Sequence, residues 1–470
     1  MTVHPKQGSL DLTQGNVAKM ILTFAIPIFA GQLLQNLYNS VDSIVVGRFT
    51  GTSALAAVST CIDISFLMIG FFNGLSTGAG VLFSRYFGAK DNQKLHDTIH
   101  TAVAFSLILG FVMAAAGILA APALLRLMDC PADAFDGALV YLRIYLVGVL
   151  FTSIYNIGAG ILRAVGDSRH PLHYLIVSCA INILLDLLFT GAWGWGEAGV
   201  GGATVAAQGV SCVLVFRQLT RTRDVHRFSF RDLCIKREIL LEIIPLSLPA
   251  AIQGSLTAFS NFFVQRYING FGSAAAAGIG AAKKVDRFAS LTCMSIGFAV
   301  TTFVSQNLGA GKPKRAFQGI AVCQAIDLAC ITLLGIPIYA FAPRLIALFD
   351  ANPETVACGV AMVRVIIPLF FTQSVNQVIA NAARGFGHSR MVMALSILGM
   401  IVLRQIWLAA SMARAHDIWN IYIAFPIGWA CAALGVCVYF AAAILIPYLR
   451  GRPVEGLCGW RSAPGEGAGR

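Results

Sequence analysis

Long apolar runs alternate with short polar stretches along almost the whole chain. Twelve of them span roughly 17–47, 53–83, 98–121, 138–162, 172–193, 200–219, 239–268, 276–304, 316–342, 357–383, 391–412 and 418–448. A helix needs about 20 mainly apolar residues to cross a bilayer, so each run predicts one membrane-spanning helix. The polar residues inside the first run keep helical time. Gln32, Gln35, Asn36, Asn39, Asp42 and Ser43 recur at spacings of three and four, which puts them on one face. Pro27 precedes them and removes a backbone donor, predicting a kink.

The pattern is written twice. SRYFGAK at 84–90 returns as SQNLGAG at 305–311, and ILRAVGDSR at 161–169 returns as AARGFGHSR at 382–390. Both pairs are 221 positions apart, as are Pro122 with Pro343 and Asp129 with Asp350; AIP at 25–27 and SLP at 247–249 are 222 apart. Six helices per copy preserve orientation, so the expected architecture is an all-α polytopic membrane protein. Its two parallel six-helix repeats would form two lobes around a central cavity. The expected organisation is a polar tail over 1–16, an N-lobe over 17–219 and a basic linker over 220–238. A C-lobe over 239–448 and a disordered tail over 449–470 complete it.

Composition agrees: 57% of residues are hydrophobic and 12% charged, with mean hydropathy +0.74. Soluble domains carry about 25% charged residues. The net charge of +12 does not point to nucleic acid, because the basic residues sort by side. With both termini in the cytoplasm, 23 Lys and Arg fall inside and at most six outside, the asymmetry expected of a multi-pass protein. The first run is too long for a cleaved signal core. No C-x-x-C is present, and the twelve cysteines read as small packing residues, with pairing of Cys130 and Cys358 left open. No G-x-x-x-x-G-K-[ST] occurs, GWGEAG at 194–199 has no strand before it, and no nucleophile–base set lies at membrane depth. The chain is therefore expected not to be an enzyme.

An ionisable group at mid-bilayer costs at least about 2.5–3.5 kcal/mol on insertion scales, so each one is a candidate site. Asp42 ends the first polar stripe. Asp186 lies near mid-depth in the fifth run with Asn182 one turn earlier, and Thr204 opens the sixth. Two carboxylates, a carboxamide and a hydroxyl suit a sodium ion or a shared proton. The second copy keeps Gln253, Thr257, Ser260, Asn261 and Gln265 but has neither carboxylate, which places the ion chemistry in the first. Arg143 and Arg364 occur 221 apart and read as structural; Asp286 and Arg287 read as an ion-pair cluster. Asp63 has no assignment, and Asp327 is a candidate partner for Arg404. His96 and His100 stand four apart without a recognisable third metal ligand.

YNSVDSIVVGRFTGTSALAAV (38–58), FSRYFGAKD (83–91) with its echo VSQNLGAGK (304–312), and GILRAVGDSRHP (160–171) with NILLDLLF (182–189) resemble the multidrug and toxic compound extrusion (MATE) transporters. The resemblance runs from about residue 15 to 448. It implies a two-lobed antiporter exporting organic, often cationic, compounds against inward proton or sodium flow, with no other cofactor. The chain is similar to the branch whose ion site lies in the N-lobe, a pattern that maps onto Asp42, Asn182, Asp186 and Thr204, with Pro27 as the bend. Gln35, Asn36, Tyr38, Asn39, Tyr155 and Asn156 would line the substrate cavity. A lipid-linked saccharide flippase of the wider superfamily, and an intramembrane enzyme or binding protein, are the alternatives. The expected setting is a monomer in the cell membrane, meeting small organic substrates and lipid but no nucleic acid.

Overall fold

The computed structural model describes residues 10–452 except 51, 129 and 132; several side chains between 39 and 63 are also outside the described set. Asn39, Asp63, the repeat position Asp129 and the tail beyond 452 therefore lie outside the described residues.

Twelve helices are long and apolar enough to cross a membrane. They are α1 (Val17–Phe49), α2 (Thr52–Ala89), α3 (Asn92–Leu127), α4 (Phe135–Ala164), α5 (Arg169–Ala192) and α6 (Gly196–Arg221). The second six are α7 (Arg237–Asn269), α8 (Ser273–Gly309), α9 (Pro313–Ala340), α10 (Pro353–Gly385), α11 (Ser389–Arg414) and α12 (Trp419–Leu449). The number matches the twelve apolar runs, and no strand occurs among the described residues. Several helices outrun their apolar stretch, because polar residues such as Asn92 and Lys94 extend α3 beyond its hydrophobic part. A short helix, Ala342–Ala347, follows α9 where a loop was expected. α10 starts on Pro353, whose missing N–H costs nothing there, behind an Asn352 side chain that accepts from Glu354 N at 2.9 Å. Leu119, Leu333 and Leu434 are among the large apolar side chains left exposed, as a lipid-facing surface requires.

The described chain separates into two compact units. The first holds Thr23–Phe83 and Asn92–Ala258; the second holds Asp11–Leu22, Ser84–Asp91 and Phe259 onward. These follow packing density rather than the sequence repeat, so α7 contributes to both.

Inside the first unit α2 meets α7 backbone to backbone. A Cβ on Gly74 would lie 2.3 Å from Ala250 O, and one on Gly78 would lie 2.3 Å from Ser247 Cα. Gly70, Gly74 and Gly78 form a small-xxx-small series that permits this approach. Inside the second unit the ends of α2 and α8 cross in the same manner, and reciprocally. A Cβ on Gly88 would lie 2.0 Å from Gln306 O, and one on Gly309 would lie 2.0 Å from Arg85 O. Gly88 and Gly309 are the matching glycines of the duplicated motif, and Arg85 and Gln306 also correspond. The crossing is thus a local isologous contact between copies.

The duplication is visible in the turns as well. Gly166 and Gly387 both take a positive φ, +87° and +101°. Asp167 N then bonds Leu162 O at 2.9 Å, and His388 N bonds Ala383 O at 3.0 Å, the closing bond of a Schellman turn. After α2 and α8 the same position is held by Lys90 (φ +57°) and Gly311 (φ +68°). In the second unit the segment before α1 is tied down: Arg315 donates to the carbonyls of Leu12, Gln14 and Gly15.

Candidate functional site

All site residues described next except the second-copy group belong to the first unit. Asp42 lies on α1 beyond Pro27, which sits inside an unbroken helix. Asn182 and Asp186 stand one turn apart on α5, so they share a face. Asp186 is the last residue before a π-helical turn, Leu187–Ala192, the kind of local underwinding that often marks function. Thr204 comes from α6.

The structure brings these four groups together. Asn182 and Asp186 are fully buried, and Asp42 and Thr204 nearly so. With its amide nitrogen facing the acids, the orientation the surroundings demand, Asn182 donates to Asp42 Oδ1 at 2.9 Å and to Asp186 Oδ2 at 3.2 Å. Asp42 and Asp186 are close neighbours, an arrangement in which two carboxyl groups can share one proton. The Tyr38 hydroxyl stands beside Asp42 and Thr204. Asp186 Oδ1 and Thr204 Oγ1 are buried with no hydrogen bond of good geometry.

Next to this cluster is a cavity of about 150 Å³. Asp42 and Thr204 belong to its wall, and so do Pro27, Gln35, Tyr38, Tyr155 and Asn156. Asn36 does not; its amide turns back to donate to Gln32 O at 2.9 Å. Sequence reasoning missed Tyr141, Tyr145, Gln208 and Arg163, which also line the cavity. Tyr141 and Tyr145 recur at i, i+4 on α4 and stack 6.2 Å apart, a spacing that could have flagged them. Arg163 Nη2 donates to Ser76 Oγ at 3.4 Å. Among the described residues Asp42 and Arg163 are the charged ones on the wall, which is otherwise a mixture of amides, hydroxyls, aromatic rings and aliphatic side chains such as Ile28, Val58 and Leu175.

In the second unit the corresponding helix pair, α7 and α11, is joined differently. Arg404 Nη2 donates to Ser260 Oγ at 2.7 Å and to Asn261 Oδ1 at 3.2 Å, with the guanidinium 5.5 Å from the Phe425 ring. Asp327, the partner expected from sequence, is engaged elsewhere: it accepts from Ser374 Oγ at 2.6 Å. A hydroxyl and an amide on the facing helix suffice where an acid seemed necessary. Asp286 has Arg287 and Lys283 as its charged neighbours. The described cysteines, Cys130 and Cys358 included, are free thiols.

His96 and His100 do gain a third neighbour, Asp232 of the linker. His100 is nevertheless committed, with Nδ1 on His96 O at 2.7 Å and Nε2 accepting from Ser229 N at 3.1 Å. With the Lys236–Asp97 ion pair at 2.7 Å, the group ties the linker to α3. Lys236 has its pKa raised by its hydrogen bond to Asp97. Burial lowers that of His226 within the linker.

The sequence matches the MatE family over residues 27–188 and 249–407. It is 28% identical over 437 residues to a probable multidrug resistance protein, YoeA, of Bacillus subtilis strain 168, covering 90% of this chain and 94% of that one. A second protein of that strain, the probable multidrug resistance protein YpnP, is 29% identical over 84% of this chain and 88% of its own. A crystal structure of MATE in the straight conformation superposes with a TM-score of 0.87 at 23% identity, over 95% of this chain and all of that one.

Proposed function

The chain belongs to the MatE family of membrane transporters and is not an enzyme, and on that footing we propose that it exports organic compounds, cationic or amphipathic, by antiport with a monovalent cation. The family match and the multidrug resistance proteins it resembles support efflux as the direction of work. The observation that carries the coupling is the double membership of Asp42. It belongs to the buried acid pair and also to the cavity wall, so one carboxyl group meets both ion and substrate. Deprotonated, it offers an organic cation a counter-ion among tyrosine faces, which attract cations. With a proton or sodium held between Asp42, Asn182, Asp186 and Thr204, that counter-ion is lost and the substrate is released. Such a ligand biases a two-state protein only through its differential affinity for the states. Alternating access, a monomeric protein, residence in the cell membrane and cytoplasmic termini belong to the same reading.

The experiment is drug-driven transport in proteoliposomes under separately imposed pH and sodium gradients. Asp42→Asn and Asp186→Asn should each abolish acceleration by the coupling gradient, while binding of a neutral substrate persists. Gradient-driven export retained in both variants would end the proposal. The gradient that drives the wild type identifies the ion.

A further inference from the structure

The second unit contains a buried acid that the mechanism above does not use. Asp327 lies midway along α9 and is fully buried. Ser374 Oγ, also fully buried and on α10, donates to Asp327 Oδ2 at 2.6 Å, and Gln324 Nε2 donates to Ser374 Oγ at 3.0 Å. The hydroxyl is thereby committed, as donor to the acid and acceptor from the amide. Two buried oxygens remain with no donor: Asp327 Oδ1 and Gln324 Oε1. They sit one helical turn apart, on the same face of α9.

The duplication shows that this junction does not need an acid. Moving 221 positions back, Asp327 becomes Ser106 and Ser374 becomes Ser153. In the first unit those two serines join α3 to α4, Oγ to Oγ at 2.7 Å, with Ser153 Oγ also donating to Ser106 O at 2.9 Å. The same helix pair is thus tied by neutral hydroxyls in one copy and by hydroxyl and carboxyl in the other. Packing alone does not account for the exchange.

We propose that Asp327 is a second proton-binding site of this protein, held as the neutral acid in the middle of the second copy. The groups facing it are Ser374 on α10, Cys293 on α8, and Gln324, Cys323 and Cys330 on α9. No Lys or Arg is among them, and Arg404 is bound to Ser260 and Asn261. A buried carboxylate without a cation partner is costly; a proton on Oδ1 removes the charge. Sodium fits less well, because only two oxygens are uncommitted and the remaining neighbours are thiols.

Infrared spectroscopy of the purified full-length protein tests this. The measurement is made in the Asp42→Asn/Asp186→Asn background, so its outcome is independent of the coupling scheme. The carboxylic-acid C=O band of a buried acid should be present near neutral pH and titrate away in strong base. Asp327→Ser, which rebuilds the serine pair of the first copy, should remove the Asp327 component of that band while leaving the unfolding temperature unchanged, and Asp286→Asn should leave that component in place. Ser374→Ala should keep the band and move it to higher frequency, since Oδ2 loses its donor; a merely structural role would not shift it. A band unaffected by Asp327→Ser, or no band at all, overturns the proposal. Loss of the band on adding sodium at constant pH overturns it too, by making the site a sodium site.

Discussion

The reciprocal crossing of α2 and α8 gives a quantitative test of the fold through Gly88→Ala. The added Cβ would lie 2.0 Å from Gln306 O, 2.8 Å from Gln306 C and 3.0 Å from its Cα. Ordinary contact begins near 3.4 Å, so the carbonyl oxygen is about 1.4 Å too close. All three atoms are backbone, and no side-chain rotation can relieve them. Overpacking of this kind costs about 1–3 kcal/mol, and a backbone-to-backbone clash belongs at the upper end. About 3 kcal/mol is a factor of roughly 150 in the equilibrium between joined and parted helix ends. Spread over the unfolding entropy of a chain this long, it lowers the unfolding midpoint by roughly 3 °C. The assay is thermal unfolding in detergent followed by a thiol-reactive dye, with transport in vesicles alongside. Gly80→Ala is the control on the same helix, because a Cβ there meets nothing within 4 Å. A Gly88→Ala midpoint equal to that of Gly80→Ala would refute the geometry.

Three further outcomes follow from other parts of the molecule. Lys90 holds a left-handed φ where the other copy has Gly311, so Lys90→Gly should raise stability by about 1 kcal/mol, read as a higher unfolding midpoint. His226 is buried and its pKa is lowered by that burial; the unfolded chain binds the proton more readily, so stability falls as pH drops below about 6.5. His226→Gln should flatten the unfolding midpoint between pH 7 and 5, and an unchanged slope would assign that dependence to other groups. Arg404→Met removes the 2.7 Å donor of the buried Ser260 Oγ, which keeps only Gln405 Nε2 at 3.3 Å, at a cost of about 1 kcal/mol, and the midpoint should fall while Arg404→Lys loses less.

The helices were readable because length and apolarity decide them, and the duplication because motif and spacing survive together. Asp42 and Asp186 stood out as acids within apolar runs, and the family resemblance joined Asn182 and Thr204 to them, whereas the meeting of the four in space could not be read from their spacing. Asn36 misled because it shares the stripe of Gln32 and Gln35, whereas stripe membership does not say whether a short amide turns outward or back to its own carbonyl. The Asp327–Ser374 pair was hidden for a different reason: serine is common in such helices, and nothing local marks a partner 47 residues away. The Gly70, Gly74 and Gly78 series was present in the sequence, but its partner surface on α7 becomes evident only where the backbones touch. The π turn at Leu187–Ala192 has no residue-type signature.

Arg404 occupies, at an offset of 222, the place that Asn182 holds in the first copy. A guanidinium stays charged across the pH range of a living cell, and it is covalently part of the chain. The α7–α11 tie therefore has no empty state and no dependence on the medium. The α1–α5 tie is built from groups that can lose or gain a proton. The two corresponding helix pairs are thus held by opposite devices, one by a permanent charge within the chain and the other by groups whose charge can change.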